Sequence, residues 1–111
     1  MIEIHGEGVV PSDVMIVGEA PGADEERLGR PFMGAAGTEL DRMLSEAGIH
    51  RSTCFVTNVC RVRPPNNRME LWVSLKRTET CSCQMRDRWV HPAVMDGFRH
   101  LLREINLVNP N

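Results

Sequence analysis

No apolar run in this sequence approaches the roughly 20 residues that a membrane-spanning helix needs, and the N-terminus lacks a secretory signal pattern. Cysteine is sparse. Cys54, Cys60, Cys81 and Cys83 are too few and too irregularly spaced for a disulfide framework, which makes a reducing cytoplasm the expected compartment. Positive charge is scarce in the first half: residues 1–60 carry four Lys and Arg against ten Asp and Glu. Residues 61–111 reverse the balance, with nine against five. A basic second half suits a phosphate backbone, and solvated helix faces explain the same charges equally well. What remains is ordinary globular material, 41% hydrophobic and 25% charged over 111 residues, enough for one small domain and not two.

The chain is organised around Val14–Gly37. An apolar run, Val14 to Val17, drives into Gly18-Glu19-Ala20-Pro21-Gly22, as a buried strand does when it opens onto a tight, site-forming loop. Continuous apolarity predicts burial on both faces, as in a parallel sheet. Glu19 places a carboxylate at the strand tip, and the flanking glycines let a ligand approach the backbone. Phe32 adds a ring on the return loop, between Pro31 and a segment of small residues. Residues 18–37 read as one long loop, a length that in compact domains usually marks function. Within it, Asp24-Glu25-Glu26 reads as a solvated turn.

Before this stretch, residues 1–13 read as a leader in which Ile2 and Ile4 alternate as in a short edge strand, until Gly6, Gly8, Pro11 and Ser12 break it. After it, Leu40, Met43, Leu44 and Ala47 form an apolar stripe that predicts a helix over about 38–47. Thr38 and Asp41 resemble a capping box, and Gly48 with Ile49 forms the stop. Met15, Met33 and Met43 read as core filler. Thr53 to Val59 is a second strand, rich in β-branched residues, and Pro64-Pro65-Asn66-Asn67 forces an irregular loop. Residues 69–88 show no clear pattern beyond a short helix suggested by Leu71, Trp72 and Leu75. Pro92 opens a final helix with Val94, Phe98, Leu101, Leu102 and Ile105 on one face. Gly97 weakens that helix by roughly 1 kcal/mol relative to Ala. Strand, helix, strand, helix predicts an α/β fold with a parallel sheet, C-terminally incomplete, because the chain stops where a third strand would follow.

Taken in order, VMIVGEAPG, GRPFMGAAG, TNV and RPPNNR resemble the uracil-DNA glycosylase superfamily. The resemblance lies with the family-4-like branch, which includes iron–sulfur bacterial and archaeal enzymes and phage proteins related to DNA polymerase. It is strong over residues 14–68 and weak over 89–111. It implies a three-layer α/β/α sandwich with a central parallel sheet, of which 1–111 is a single partial domain. It also implies hydrolysis of the N-glycosidic bond of deoxyuridine in DNA during base excision repair, on a nucleotide flipped from the stack. By position, Glu19 would orient or activate water, and Asn58 would hydrogen-bond the base edge. Phe32 would stack on uracil, with backbone around Gly18, Ala20, Pro21 and Gly22 bordering base and sugar. Arg61, Arg63 and Arg68 would face phosphates. A capping Glu19, a core Phe32 and a loop-satisfying Asn58 are the structural alternatives.

The sequence departs from this family at three places. The iron–sulfur members have two N-terminal cysteines and one before RPP; here the first two are missing and Val62 holds the third position. No iron–sulfur cluster is therefore expected, nor a metal at Cys81-x-Cys83 with Cys60 and His91. The family's His-Pro-Ser-type wedge follows the fourth strand, whereas His91-Pro92 precedes the second major helix, so His91 is expected to be a helix N-terminal residue. Without the wedge, the 111 residues are expected to have little activity alone. The expected partner is uracil-containing DNA, bound by a monomer away from membranes. A non-catalytic nucleic-acid- or protein-binding relative and a nucleotide-phosphate-binding α/β enzyme remain alternatives.

Overall fold

The computed structural model describes residues 2–111. Two three-stranded sheets and three helices make up an α/β domain. The first sheet has the order β1-β3-β2, with β1 Glu7–Gly8, β2 Met15–Gly18 and β3 Phe55–Asn58. β2 runs parallel to β3, and β1 antiparallel to it. The sheet is thus mixed, and the expected leader supplies one of its strands. β3 is buried at all four positions, the polar Thr57 and Asn58 included. β2 is an edge, and Val17 is 44% exposed, so burial on both faces holds for β3 and not for β2.

The expected long loop contains a helix, α1 (Ala23–Leu28). Gly22 is its N-cap, and the Glu25 carboxylate reaches back to accept the Gly22 N–H at 2.8 Å, half of a capping box. The acidic run is therefore a helix start and not simply a solvated turn. α2 spans Ala35–Glu46 with Gly34 as N-cap. Thr38 lies inside it, its hydroxyl turned back to the Gly34 carbonyl at 3.4 Å, so the expected Thr38–Asp41 box does not form. Its buried side is Gly37, Leu40 and Leu44, while Met43 is 49% exposed and is not core filler. The stop is as read: Gly48 has φ 73°, and Ile49 N–H donates to the Leu44 carbonyl at 2.8 Å, a Schellman closure.

The patternless stretch folds as a second, antiparallel sheet of order β4-β6-β5: β4 Val73–Ser74, β5 Cys83–Met85 and β6 Arg88–Val90. Arg86 and Asp87 alone connect β5 to β6. Arg86 takes φ 55° there, a conformation usually signalled by Gly or Asn. No such residue stands in the turn, which is why the hairpin was illegible. α3 (Pro92–Val108) closes the fold, with Pro92 in its first turn. Its buried face is Val94, Gly97, Leu101, Glu104 and Val108. Phe98, Leu102 and Ile105 of the expected stripe are largely exposed. The helix is rotated from its most apolar face because Gly97 sits on the Val59 carbonyl and Glu104 accepts the Thr57 hydroxyl at 2.9 Å. Two buried clusters result, Leu40, Leu44, Cys54 and Val56 beside the first sheet, and Cys60, Val62, Trp72, Val90 and Val94 beside the second.

Candidate functional site

The register of the parallel pair, Met15 opposite Phe55 and so on, sets Gly18 opposite Asn58 where β2 and β3 both end. Pairing continues one step beyond, with Val59 N–H to the Gly18 carbonyl at 2.8 Å and Cys60 N–H to the Glu19 carbonyl at 2.9 Å. Glu19 and Asn58 thereby flank one spot at the carboxyl ends of parallel strands, where open α/β sheets place ligands. A cavity of about 160 Å³ opens there, lined by Gly18, Glu19, Ala20, Glu25, Phe32, Ala36 and Asn58. Drug-sized ligands occupy roughly 300–1,000 Å³, so this pocket suits one small ring.

Glycine at position 18 makes the convergence possible. A Cβ there would collide with Asn58 Oδ1 and lie 2.6 Å from Phe32 Cζ. Asn58 is buried and lines the cavity, its Oδ1 lying where a Gly18 Cβ would stand. Glu19 is exposed and forms no ion pair among the described residues. Phe32 is half-buried: it packs on the Leu40–Val56 cluster and faces the cavity. Its backbone is left-handed at φ 54°, which costs on the order of 1 kcal/mol for a bulky residue.

Two residues that sequence reasoning passed over hold that conformation. Glu25 accepts the N–H groups of Met33 at 2.9 Å and Gly34 at 2.8 Å, besides that of Gly22. Burial pushes its pKa up, but the backbone donors, Gly34 foremost, outweigh burial and hold it below its ordinary value. Arg51, between α2 and β3, donates to the Phe32 carbonyl at 2.8 Å and the Pro31 carbonyl at 2.6 Å. Nothing in the sequence marked either residue, because their partners are backbone groups brought near only by the fold.

The remaining expected residues are placed differently. Pro21 is fully buried beneath the loop, and Gly22 serves as a helix cap; neither lines the cavity. Arg61 is turned inward, its side chain 14% exposed, with His5 Nδ1 at 2.9 Å and Glu104 at 3.8 Å. Its Nε is buried without a partner. Arg63 donates to Asn67 at 2.7 Å and approaches Glu26 at 3.6 Å, while Arg68, largely exposed, pairs with Glu70. His91 is the N-cap of α3, accepting the Ala93 N–H at 3.0 Å and stacked on Trp72 at 4.4 Å. Burial holds its pKa below the ordinary value. It lines a separate cavity of about 490 Å³ with Arg61, Val62, Cys83 and Arg99, away from Glu19 and Asn58.

An iron–sulfur cluster requires several thiolates around one point. Cys54 belongs to one core cluster, whereas Cys60 and the half-buried Cys83 pack in the other. Burial, and then the Glu19 carboxylate, push the Cys60 thiol up to about 11, so it stays protonated at neutral pH. Among the described residues the one group of three metal-capable side chains is Glu3, Asp96 and His100, without a sulfur. The donor set does not fit the cluster. No helix of the described residues is long and apolar enough to cross a membrane.

Fold and site together define an α/β domain with a small polar-and-aromatic pocket at the ends of two parallel strands. The family model of the uracil DNA glycosylase superfamily matches residues 5–111, and the chain belongs to that superfamily. It is similar to the type-4 uracil-DNA glycosylase of Pyrobaculum aerophilum, 57% identical over 65 residues, which is 59% of this chain and 33% of the relative. The type-4 enzyme of Sulfurisphaera tokodaii is 52% identical over 66 residues, 59% of this chain and 30% of that one. That of Thermotoga maritima is 48% identical over 65 residues, covering 59% and 34%. The matched stretch spans about a third of the length of these curated relatives.

Proposed function

We propose that this chain carries the base-binding and water-orienting half of a uracil-DNA glycosylase, hydrolysing the N-glycosidic bond of deoxyuridine in DNA for base excision repair. The supporting observation is the convergence of Glu19, Phe32 and Asn58 on one cavity of about 160 Å³. Asn58 has both a donor and an acceptor to offer, the pair that the O4 and N3–H edge of uracil requires. Phe32 provides a stacking face, worth about 1–3 kcal/mol for a base. Glu19, exposed at the strand tip, orients water toward the sugar and stabilises the cationic character of an oxocarbenium-like transition state. Gly18 and Ala20 border the base, while Pro21 and Gly22 shape the loop from beneath. Arg63 and Arg68 meet the phosphates; Arg61, turned inward, holds the fold beside Glu104. The 111 residues form a single, partial domain of a three-layer sandwich, working as a monomer without a cluster.

Excision from a uracil-containing single strand tests this reading. Glu19→Gln and Asn58→Ala should each lower the rate by about 10²–10⁴-fold, with the fold unchanged by circular dichroism. Measurable excision by the parent chain that both variants match would refute it. A second reading, a relative that binds DNA without cutting, is favoured by one observation: no histidine lines the pocket among the described residues. Retained affinity for the strand with no excision would establish it.

A further inference from the structure

We infer that Arg51 and Glu25 are positioning residues, a two-charge clamp on residues 31–34 that sets Phe32 for base stacking; this rests on the proposed reading of the pocket. The clamp is defined by four consecutive backbone groups. The carbonyls of Pro31 and Phe32 accept from Arg51 Nη2 and Nη1 at 2.6 and 2.8 Å. The N–H groups of Met33 and Gly34 donate to Glu25 Oε2 at 2.9 and 2.8 Å. A guanidinium suits the first task because its rigid fork reaches two carbonyls at once. A carboxylate suits the second because one oxygen can accept two backbone donors.

The clamp acts on a residue that needs it. Phe32 has φ 54°, a conformation that a bulky side chain leaves unless its surroundings hold it. Gly37 of α2 completes the seat, since a Cβ there would strike the Phe32 carbonyl. Arg51 is itself anchored, with a side chain 21% exposed and with Asp41 at 3.4 Å and Glu7 at 3.8 Å. Glu7 also holds Arg30 at 2.9 Å. The first strand, the middle of α2 and the turn before β3 therefore converge on one loop, while the ring that the loop carries lies 2.6 Å from where a Gly18 Cβ would stand. Stacking on a ring fixed beforehand avoids the ordering cost of fixing it upon binding.

Two-dimensional NMR on the full chain tests the clamp without requiring turnover. The parent chain should show a nuclear Overhauser contact between Gly18 Hα and the Phe32 ring. Arg51→Gln should lose it, with the rest of the spectrum dispersed, and free uracil should bind about tenfold more weakly. Combined with Phe32→Ala, Arg51→Gln should add no further loss of uracil affinity, a non-additivity that a general loss of stability would not produce. Should Arg51→Gln not fold, Arg51→Lys keeps the charge without the fork and should weaken the same contact. Persistence of the Gly18–Phe32 contact and the positive Phe32 φ in the folded variants would overturn the clamp. Loss of the contact in Arg51→Gln alone, with no uracil bound by the parent chain, would uphold the clamp and refute the ligand. Uracil binding that depends on Phe32 and ignores Arg51 would refute the clamp and leave the pocket reading intact.

Discussion

Replacing Gly97 by alanine sets two physical effects against each other, and the structure decides the sign. In an isolated helix, Ala at an interior position is about 1 kcal/mol better than Gly, so α3 considered alone should gain. In the folded chain the new Cβ would run into the Val59 carbonyl and lie 3.0 Å from Cys60 Cα. Both obstacles are backbone atoms just after β3, and neither can swing aside as a side-chain tip would. Relief requires α3 to lift from the loop, loosening Val94 from Cys60, Val62, Trp72 and Val90. Overpacking of this kind costs about 1–3 kcal/mol or more, which exceeds the propensity gain. The expected net loss is up to about 2 kcal/mol, with each kcal/mol lowering Tm by roughly 4–8 °C in a domain this small. Urea and thermal unfolding followed by circular dichroism measure it. Asn106→Ala, on the exposed side of the same helix, reports propensity alone and should be neutral to slightly stabilising. A Gly97→Ala chain as stable as the parent, or more so, would refute the close-approach argument.

Gly18→Ala should abolish uracil binding while leaving most of the fold, because its Cβ occupies the space shared by Asn58 Oδ1 and the Phe32 ring; calorimetry with free uracil measures it. Glu25→Gln should destabilise the chain by about 1.5–3 kcal/mol at neutral pH, as charged acceptors are replaced by a neutral one. Since the folded carboxyl titrates below its ordinary 4.5, that contribution is present above pH 4.5 and lost as pH falls through the lower folded value. Unfolding curves of parent and variant should therefore converge in acid. Cys60 should resist alkylation at neutral pH, with half-buried Cys83 labelled first by mass spectrometry. Because the Cys60 thiol rises from 9.0 to about 11 on folding, its contribution is intact below pH 9 and lost between there and 11, and Cys60→Ser should remove that alkaline dependence.

Local chemistry made much of this protein legible from its residues. The apolar runs around Ile16 and Val56 read as strands because short continuous apolarity between Gly and Asn signals admits little else. The Gly48–Ile49 stop and the Pro92 start are properties of single residues and their neighbours, and both stand in the structure. The expected convergence of Glu19, Phe32 and Asn58 came from family resemblance, and the register of β2 on β3 supplies its geometric basis. The second sheet stayed hidden because its hairpin turns on Arg86, whose positive φ is imposed by strand pairing and not by its own preference. The rotation of α3 stayed hidden because helical periodicity counts apolar residues alone, whereas Gly97 and Glu104 face inward through a close backbone contact and a buried hydrogen bond.

The sequence by itself marked Val14–Gly37 as a candidate site, because side-chain chemistry and glycine placement are local facts, and the resemblance to the superfamily added Asn58 as its companion. Only the tertiary structure decided how that site is held. Glu25 reads in the sequence as one charge in a solvated run and Arg51 carries no signal there, and their roles arise from backbone carbonyls and N–H groups that every residue possesses. Such partners carry no signature in sequence, and they become specific only when the fold brings them within hydrogen-bonding distance.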